Sequence, residues 1–141
     1  MVMLRLVRVM EKLHTNVTIA FKRPDASIPW FRGDAGDLEE MAGNLLDNAC
    51  KWARSRVQVS SAIDGRLVVI DVYDDGMGLD ESMRVRVLQR GVRADEAAPG
   101  SGFGLAIVSD LATAYGGSIA LHRSPDGGVR ARLTLPAQDR P

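Results

Sequence analysis

Between Asp34 and Arg54 the apolar residues Leu38, Met41, Ala42, Leu45, Leu46, Ala49 and Trp52 recur at spacings of three and four. That period commits the segment to a helix with a single apolar stripe, and such a stripe must be buried against another element. Asp34 or Asp37 is placed to cap its N-terminus. The surface that receives the stripe has a different period. Val57–Ile63 and Leu67–Tyr73 read as strands joined by a tight Asp64-Gly65 turn, and Ser118–Arg123 and Val129–Leu135 read as a second hairpin. In the last strand Val129, Ala131, Leu133 and Leu135 alternate with Arg130, Arg132 and Thr134, so one sheet face is packed and the other partly solvated.

The remaining segments fill in this plan. Met1–Leu13 reads as a short amphipathic helix, and Gly104–Tyr115 as another that Gly116-Gly117 stops. Val17–Phe21 and Ile28–Phe31 read as two short strands around Arg23-Pro24-Asp25, with Pro29 confining the second to an edge or a strand start. From Glu81 to Gly102 the helical period fades after Leu88, and Gly91, Pro99 and Gly100 punctuate a polar stretch. A connection of that length inside a compact domain is more often functional than not. The expected fold is a two-layer α/β sandwich: a mixed, mostly antiparallel sheet of about five strands, covered on one face by three helices.

A chain of 141 residues with 45% hydrophobic and 26% charged residues fits one soluble globular domain. Zero formal charge offers no electrostatic case for nucleic acid or for direct membrane contact. The single cysteine, Cys50, excludes an intrachain disulfide and a cysteine-based zinc site, and fits a reducing compartment. No apolar run approaches the ~20 residues of a membrane span, and no signal-peptide pattern opens the chain.

Three patches carry chemistry. On the long helix, at about 100° per residue, Asn44, Asn48 and Lys51 share a narrow stripe on a different face from the apolar one. Asparagine is a mediocre helix former, so two of them one turn apart carry a local cost. They are either a solvated face or a pair of hard amide-oxygen ligands for Mg²⁺, with Lys51 adding a compact positive charge for phosphate. In the second patch, Asp74-Asp75-Gly76-Met77-Gly78, a carboxylate ends a strand beside a glycine turn. Asp74 could accept from an exocyclic amine such as adenine's, or could belong to an ordinary Asp-Gly turn. The third, Gly100-Ser101-Gly102-Phe103-Gly104-Leu105, sets glycines at alternate positions before a helix, where free N–H groups and the helix dipole attract anions. It is neither a Walker A loop nor a dinucleotide fingerprint. In the preceding loop Arg90 and Arg93 are the cations best placed to reach a phosphate, or else plain surface charge.

The order and spacing of these patches resemble the ATP-binding catalytic domain of bacterial sensor histidine kinases, relatives of the gyrase, Hsp90-type and MutL ATPases. The resemblance runs from about Phe21 to Pro136. It is nearest to PhoQ-type kinases through Gly43–Lys51, Gln89-Arg90-Gly91 and Pro99-Gly100-Ser101-Gly102. It implies a Bergerat fold with ATP and Mg²⁺ as ligands. By that resemblance Asn48, with Asn44, ligates Mg²⁺, Lys51 contacts phosphate and Trp52 packs near adenine. Asp74 reads the adenine amine while Gly76 and Gly78 shape that end of the pocket. Residues from about 84 to 103 form a flexible ATP lid carrying Arg90 and Arg93, and Gly102, Gly104 and Leu105 make the phosphate turn. Leu88, where many relatives carry phenylalanine, and Trp52, where tyrosine is common, depart from the pattern.

The related ATPases carry a glutamate at the position of Asn44. A neutral amide cannot take a proton from water at useful pH, which favours phosphoryl transfer to a protein histidine over hydrolysis. Neither His14 nor His122 is followed by the acidic residue of the family's phospho-acceptor box, so both read as structural. The acceptor is therefore expected on a dimerisation domain outside this chain. Residues 1–14 would be the remnant of the helix or linker following that domain, and 15–141 the ATP-binding domain. A response regulator is the implied downstream partner, and the cytoplasmic side of an inner-membrane sensor the implied location. A regulatory ATP-binding module without transfer, and an anti-sigma-factor-type serine kinase, are the alternatives.

Overall fold

A computed structural model of the chain describes residues 2–22, 31–78, 80–86, 104–125 and 127–137. The elements run in the order α1 (Val2–Leu13), β1 (Thr18–Lys22), α2 (Ala35–Trp52), β2 (Arg56–Asp64), β3 (Leu67–Asp74), α3 (Glu81–Arg86), α4 (Gly104–Ala114), β4 (Ser118–Arg123) and β5 (Val129–Pro136). The strands form one five-stranded sheet in the order β1-β2-β3-β5-β4. Among the described residues the β1–β2 pair is parallel and the β2–β3, β3–β5 and β4–β5 pairs are antiparallel.

Strand register explains which side chains go inside. Phe21, Val59, Val72, Ala131 and Leu121 face one another across the sheet, and Ser61, Ile70, Leu133 and Ile119 form the next row. Against this face pack Val7 and Met10 of α1, the α2 stripe Met41, Ala42, Leu45, Leu46, Ala49 and Cys50, and Val108 and Ala112 of α4, all in one buried cluster. The opposite face carries polar pairs. Arg132 donates there from Nε and Nη2 to the two carboxylate oxygens of Asp71, at 2.9 and 3.0 Å.

The alternating strands and the three-to-four spacing of α2 appear where the sequence places them. Asp34 is the N-cap of α2, its Oδ1 accepting from the Asp37 N–H at 3.1 Å. The helix stops at Trp52 rather than near Arg54, with Ala53 N–H closing on the Ala49 carbonyl at 2.9 Å. At the end of α4, the Gly117 and Gly116 N–H groups bond to the carbonyls of Ala112 and Thr113, at 2.8 and 2.9 Å. This paired closure ends the helix at its glycines.

Three expectations need correction. The β2–β3 loop consists of Gly65 and Arg66, because Asp64 already pairs with Leu67. The strand expected from Val17 begins at Thr18 and finds its partner at a distance. β1 pairs parallel with β2 across the intervening helix, and Phe31 makes a single antiparallel bridge to Ala137. Ile28, Pro29 and Trp30 lie outside the described residues. A fourth, short helix, α3, adds to the three expected; it occupies the start of the Glu81–Gly102 stretch, before the helical period fades, and lies beside β4.

Candidate functional site

The packed face of the sheet ends on a carboxylate. In register, Ile19 pairs with Val57 and Val57 with Asp74, so Asp74 stands in a row that is otherwise apolar. Asp74 is only 5% exposed. Burial pushes its carboxyl above the ordinary carboxylate range, even though the N–H groups of Gly76 and Val129 donate to Oδ1 at 2.9 and 3.3 Å. Both bonds fall on Oδ1, and neither uses Oδ2. A buried carboxylate with one oxygen anchored in this way is a selective acceptor for an N–H donor, since leaving it unmatched is costly.

The turn after Asp74 is shaped by close approach. A Cβ on Gly76 would overlap the carbonyl oxygen of Trp52, so only glycine lets the turn lie against the end of α2. This joins the C-terminal end of the first patch to the second. Gly78 comes next with φ at +79°. The β4–β5 hairpin closes the other side, where a Cβ on Gly128 would overlap the Asp74 side chain and carbonyl. Gly128 has no role in the sequence reading. Its signal was a second pair of adjacent glycines immediately before a strand.

Asp75 was also missed. Its Oδ1 accepts from the N–H groups of Arg54, Ser55 and Arg56 at 2.8, 3.1 and 3.2 Å, and its Oδ2 from the Ser55 hydroxyl at 3.0 Å. Partial burial opposes ionisation, but these four donors overcome it and hold the carboxyl down at about 2. Asp75 thereby ties the α2–β2 connection to the turn that carries Gly76. The sign of a carboxylate's shift thus reverses between neighbours, raised at Asp74 and lowered at Asp75.

The amide stripe of α2 is more open. Asn44 and Asn48 are half-buried and Lys51 is exposed. Asn44 donates from Nδ2 to the Glu40 carbonyl at 2.8 Å. Only the amino group can serve a carbonyl, so the amide oxygen of Asn44 is the atom left for a cation. Lys51 Nζ pairs with Asp47 Oδ2 at 3.0 Å, and Asp47 Oδ1 lies 3.1 Å from His14 Nε2. His14 is thus engaged in a contact with α2, and His122 is exposed on β4. Trp52, the last residue of α2, is half-buried.

At the start of α4, Gly104 is buried and Leu105 packs against the core, and α4 lies against α2. Arg90, Arg93 and Gly102 lie outside the described residues, as does most of the expected lid. Its first residues, Arg84 and those up to Arg86, belong to α3. Among the described residues no helix is long and apolar enough to cross a membrane.

Residues 33–139 match the family described as histidine kinase-, DNA gyrase B-, and HSP90-like ATPase. The chain is 48% identical over 115 residues to the sensor protein kinase CarS of Pseudomonas aeruginosa, covering 82% of this chain and 25% of that protein. It is 39% identical over 108 residues to the virulence sensor histidine kinase PhoQ of Salmonella typhimurium, covering 77% of this chain and 22% of that one. It therefore spans about a quarter of the length of these relatives. Among solved structures, full-length ShkA in complex with AMPPNP superposes with a TM-score of 0.86 at 27% identity, over 99% of this chain and 30% of that one.

Proposed function

The chain belongs to the histidine kinase-, DNA gyrase B- and HSP90-like ATPase family, and from that premise we propose that it is the ATP-binding catalytic domain of a sensor histidine kinase. The observation that carries the reading is Asp74, a buried carboxylate on the packed face, held by Gly76 and Val129 and backed by Gly128. It suits the exocyclic amine of adenine, with Gly76, Gly78 and Trp52 shaping that end of the pocket. From there Asn44, Asn48 and Lys51 serve the phosphates, with Arg90 and Arg93 of the lid, while Gly102, Gly104 and Leu105 form the turn before α4.

The donor set fits magnesium, a hard cation that takes oxygen ligands and keeps part of its water. Asn48 and Asn44 would hold it through their amide oxygens, and when bound it supplies positive charge to the phosphates. The remaining work is positioning and charge neutralisation by this chain's own groups. The imidazole nitrogen of an acceptor histidine forms the new bond to the γ-phosphorus as the bond to the departing ADP oxygen breaks. Asn44 provides no general base for water, which favours that acceptor over hydrolysis.

The acceptor histidine belongs to a dimerisation domain of the same kinase, with residues 1–14 leading from it and 15–141 forming the catalytic domain. A response regulator receives the phosphoryl group downstream, and the domain works on the cytoplasmic side of a membrane sensor. The test mixes this chain with Mg²⁺, ATP and a separately prepared histidine-bearing domain. An acid-labile phosphohistidine is expected. ATP binding without any phosphohistidine would favour a regulatory module, and an acid-stable product would favour a serine kinase.

A further inference from the structure

Lys51 is already spoken for. Its ammonium lies 3.0 Å from Asp47 Oδ2, and the other oxygen of that carboxylate contacts His14 Nε2 at 3.1 Å. On the helix, taking Asn44 as origin, Asp47 lies about 60° to one side and Asn48 about 40° to the other, with Lys51 between them. Lys51 can therefore serve either Asp47 or a phosphate beside Asn48. An exposed acid–base pair one turn apart contributes little to stability, so fold maintenance does not account for recruiting a third partner 33 residues away.

We propose that Asp47 is a positioning residue that holds Lys51 in reserve, with His14 setting the strength of the hold, so that phosphate binding must win Lys51 from a carboxylate. This rests on the nucleotide reading above. His14 closes the turn after α1, its N–H bonded to the Met10 carbonyl at 2.8 Å and its carbonyl accepting from Val17 at 3.2 Å. Its imidazole is thus fixed from outside α2. A ring N–H donated to Asp47 Oδ1 draws off part of the carboxylate's charge and loosens its grip on Lys51.

The test is a double-mutant cycle on Mg²⁺–ATP affinity with Asp47→Asn, Lys51→Met and both changes. Asp47→Asn is expected to tighten ATP about two- to threefold, the worth of an exposed ion pair one turn apart. In the Lys51→Met background the same change is expected to do nothing. Equal tightening in both backgrounds would reduce Asp47 to simple repulsion of the nucleotide and overturn the hold, as would weaker binding by Asp47→Asn. His14→Ala is expected to loosen ATP about twofold, and His14→Gln, which keeps an N–H donor, to restore it. A purely structural His14 would lower the melting temperature without that rescue. Wild-type protein that fails to bind ATP overturns the nucleotide site itself, whereas ATP binding without coupling overturns the hold alone.

Discussion

The two ends of the proposed pocket are built on opposite principles. The end around Asp74 is buried and finished: Asp74 is anchored by two N–H groups, the Gly76 turn lies against the Trp52 carbonyl, and Asp75 clasps three successive N–H groups and a hydroxyl. The end around Asn44, Asn48 and Lys51 lies on an open helix face, where Lys51 is occupied by a neighbouring carboxylate. Under the proposed function, recognition of the base is built into the fold, while recognition of phosphate and metal is left for the ligand to complete. On the proposed reading, a preformed base site would select the nucleotide and an open phosphate site would let the γ-phosphate go.

Substitutions in the backbone frame of the finished end should therefore register in stability, and those at Asp74 itself or at the open end in binding. The largest expected effect is at Gly76. Gly76→Ala pushes a methyl group into backbone that cannot swing aside and should cost about 3 kcal/mol or more of unfolding free energy. Chemical denaturation checks this, and a wild-type midpoint would contradict the close approach. Next is Asp75. Asp75→Ala leaves three N–H groups to find water and should cost about 2 kcal/mol at neutral pH. Because its folded pKa lies at about 2, below the ordinary 3.8, its contribution is present above pH 3.8 and lost as pH falls through 2. Acid titration of stability should show the wild-type advantage over Asp75→Ala shrinking across that window.

Asp74 should separate stability from binding. Its pKa is raised, so its ionised form opposes folding, and its contribution to stability falls as pH rises through the folded pKa. Asp74→Asn keeps an oxygen for Gly76 and Val129 and relieves a buried charge. It should melt at or above the wild-type temperature at pH 7 while weakening ATP by about 1–3 kcal/mol. Unchanged affinity by calorimetry would remove Asp74 from the site. The smallest effect is at the open end, where Lys51→Met should leave the melting temperature within error and weaken ATP by about 0.5–1 kcal/mol.

Local periodicity made most of the fold legible. The α2 stripe and both hairpins depend on neighbours a few residues apart, and each appears where its period places it. The parallel pairing of β1 with β2 was not legible, because nothing in a five-residue strand says which distant edge it joins. The site divides in the same way. Asp74 and the Asn44–Asn48–Lys51 stripe stand out as motifs, whereas Asp75, Gly128 and the His14–Asp47 contact act across long sequence separations through short polar groups or bare backbone. Such contacts have no period, and their residue types are common in ordinary turns. Even so, the consecutive aspartates 74 and 75 held a clue: two carboxylates side by side need different environments, and here one is buried on the packed face while the other ties down the backbone.

The central claim, a base site complete in advance joined to a phosphate site completed by metal and nucleotide, is tested most directly by calorimetric titration of ATP with and without Mg²⁺. The proteins compared are wild type, Asn48→Ala and Asp74→Asn. Wild type should bind ATP more tightly with Mg²⁺ than without it, Asn48→Ala should lose that difference, and Asp74→Asn should be weakened equally in both conditions. A magnesium dependence that survives Asn48→Ala, or a defect in Asp74→Asn that appears only with the metal, would contradict the account.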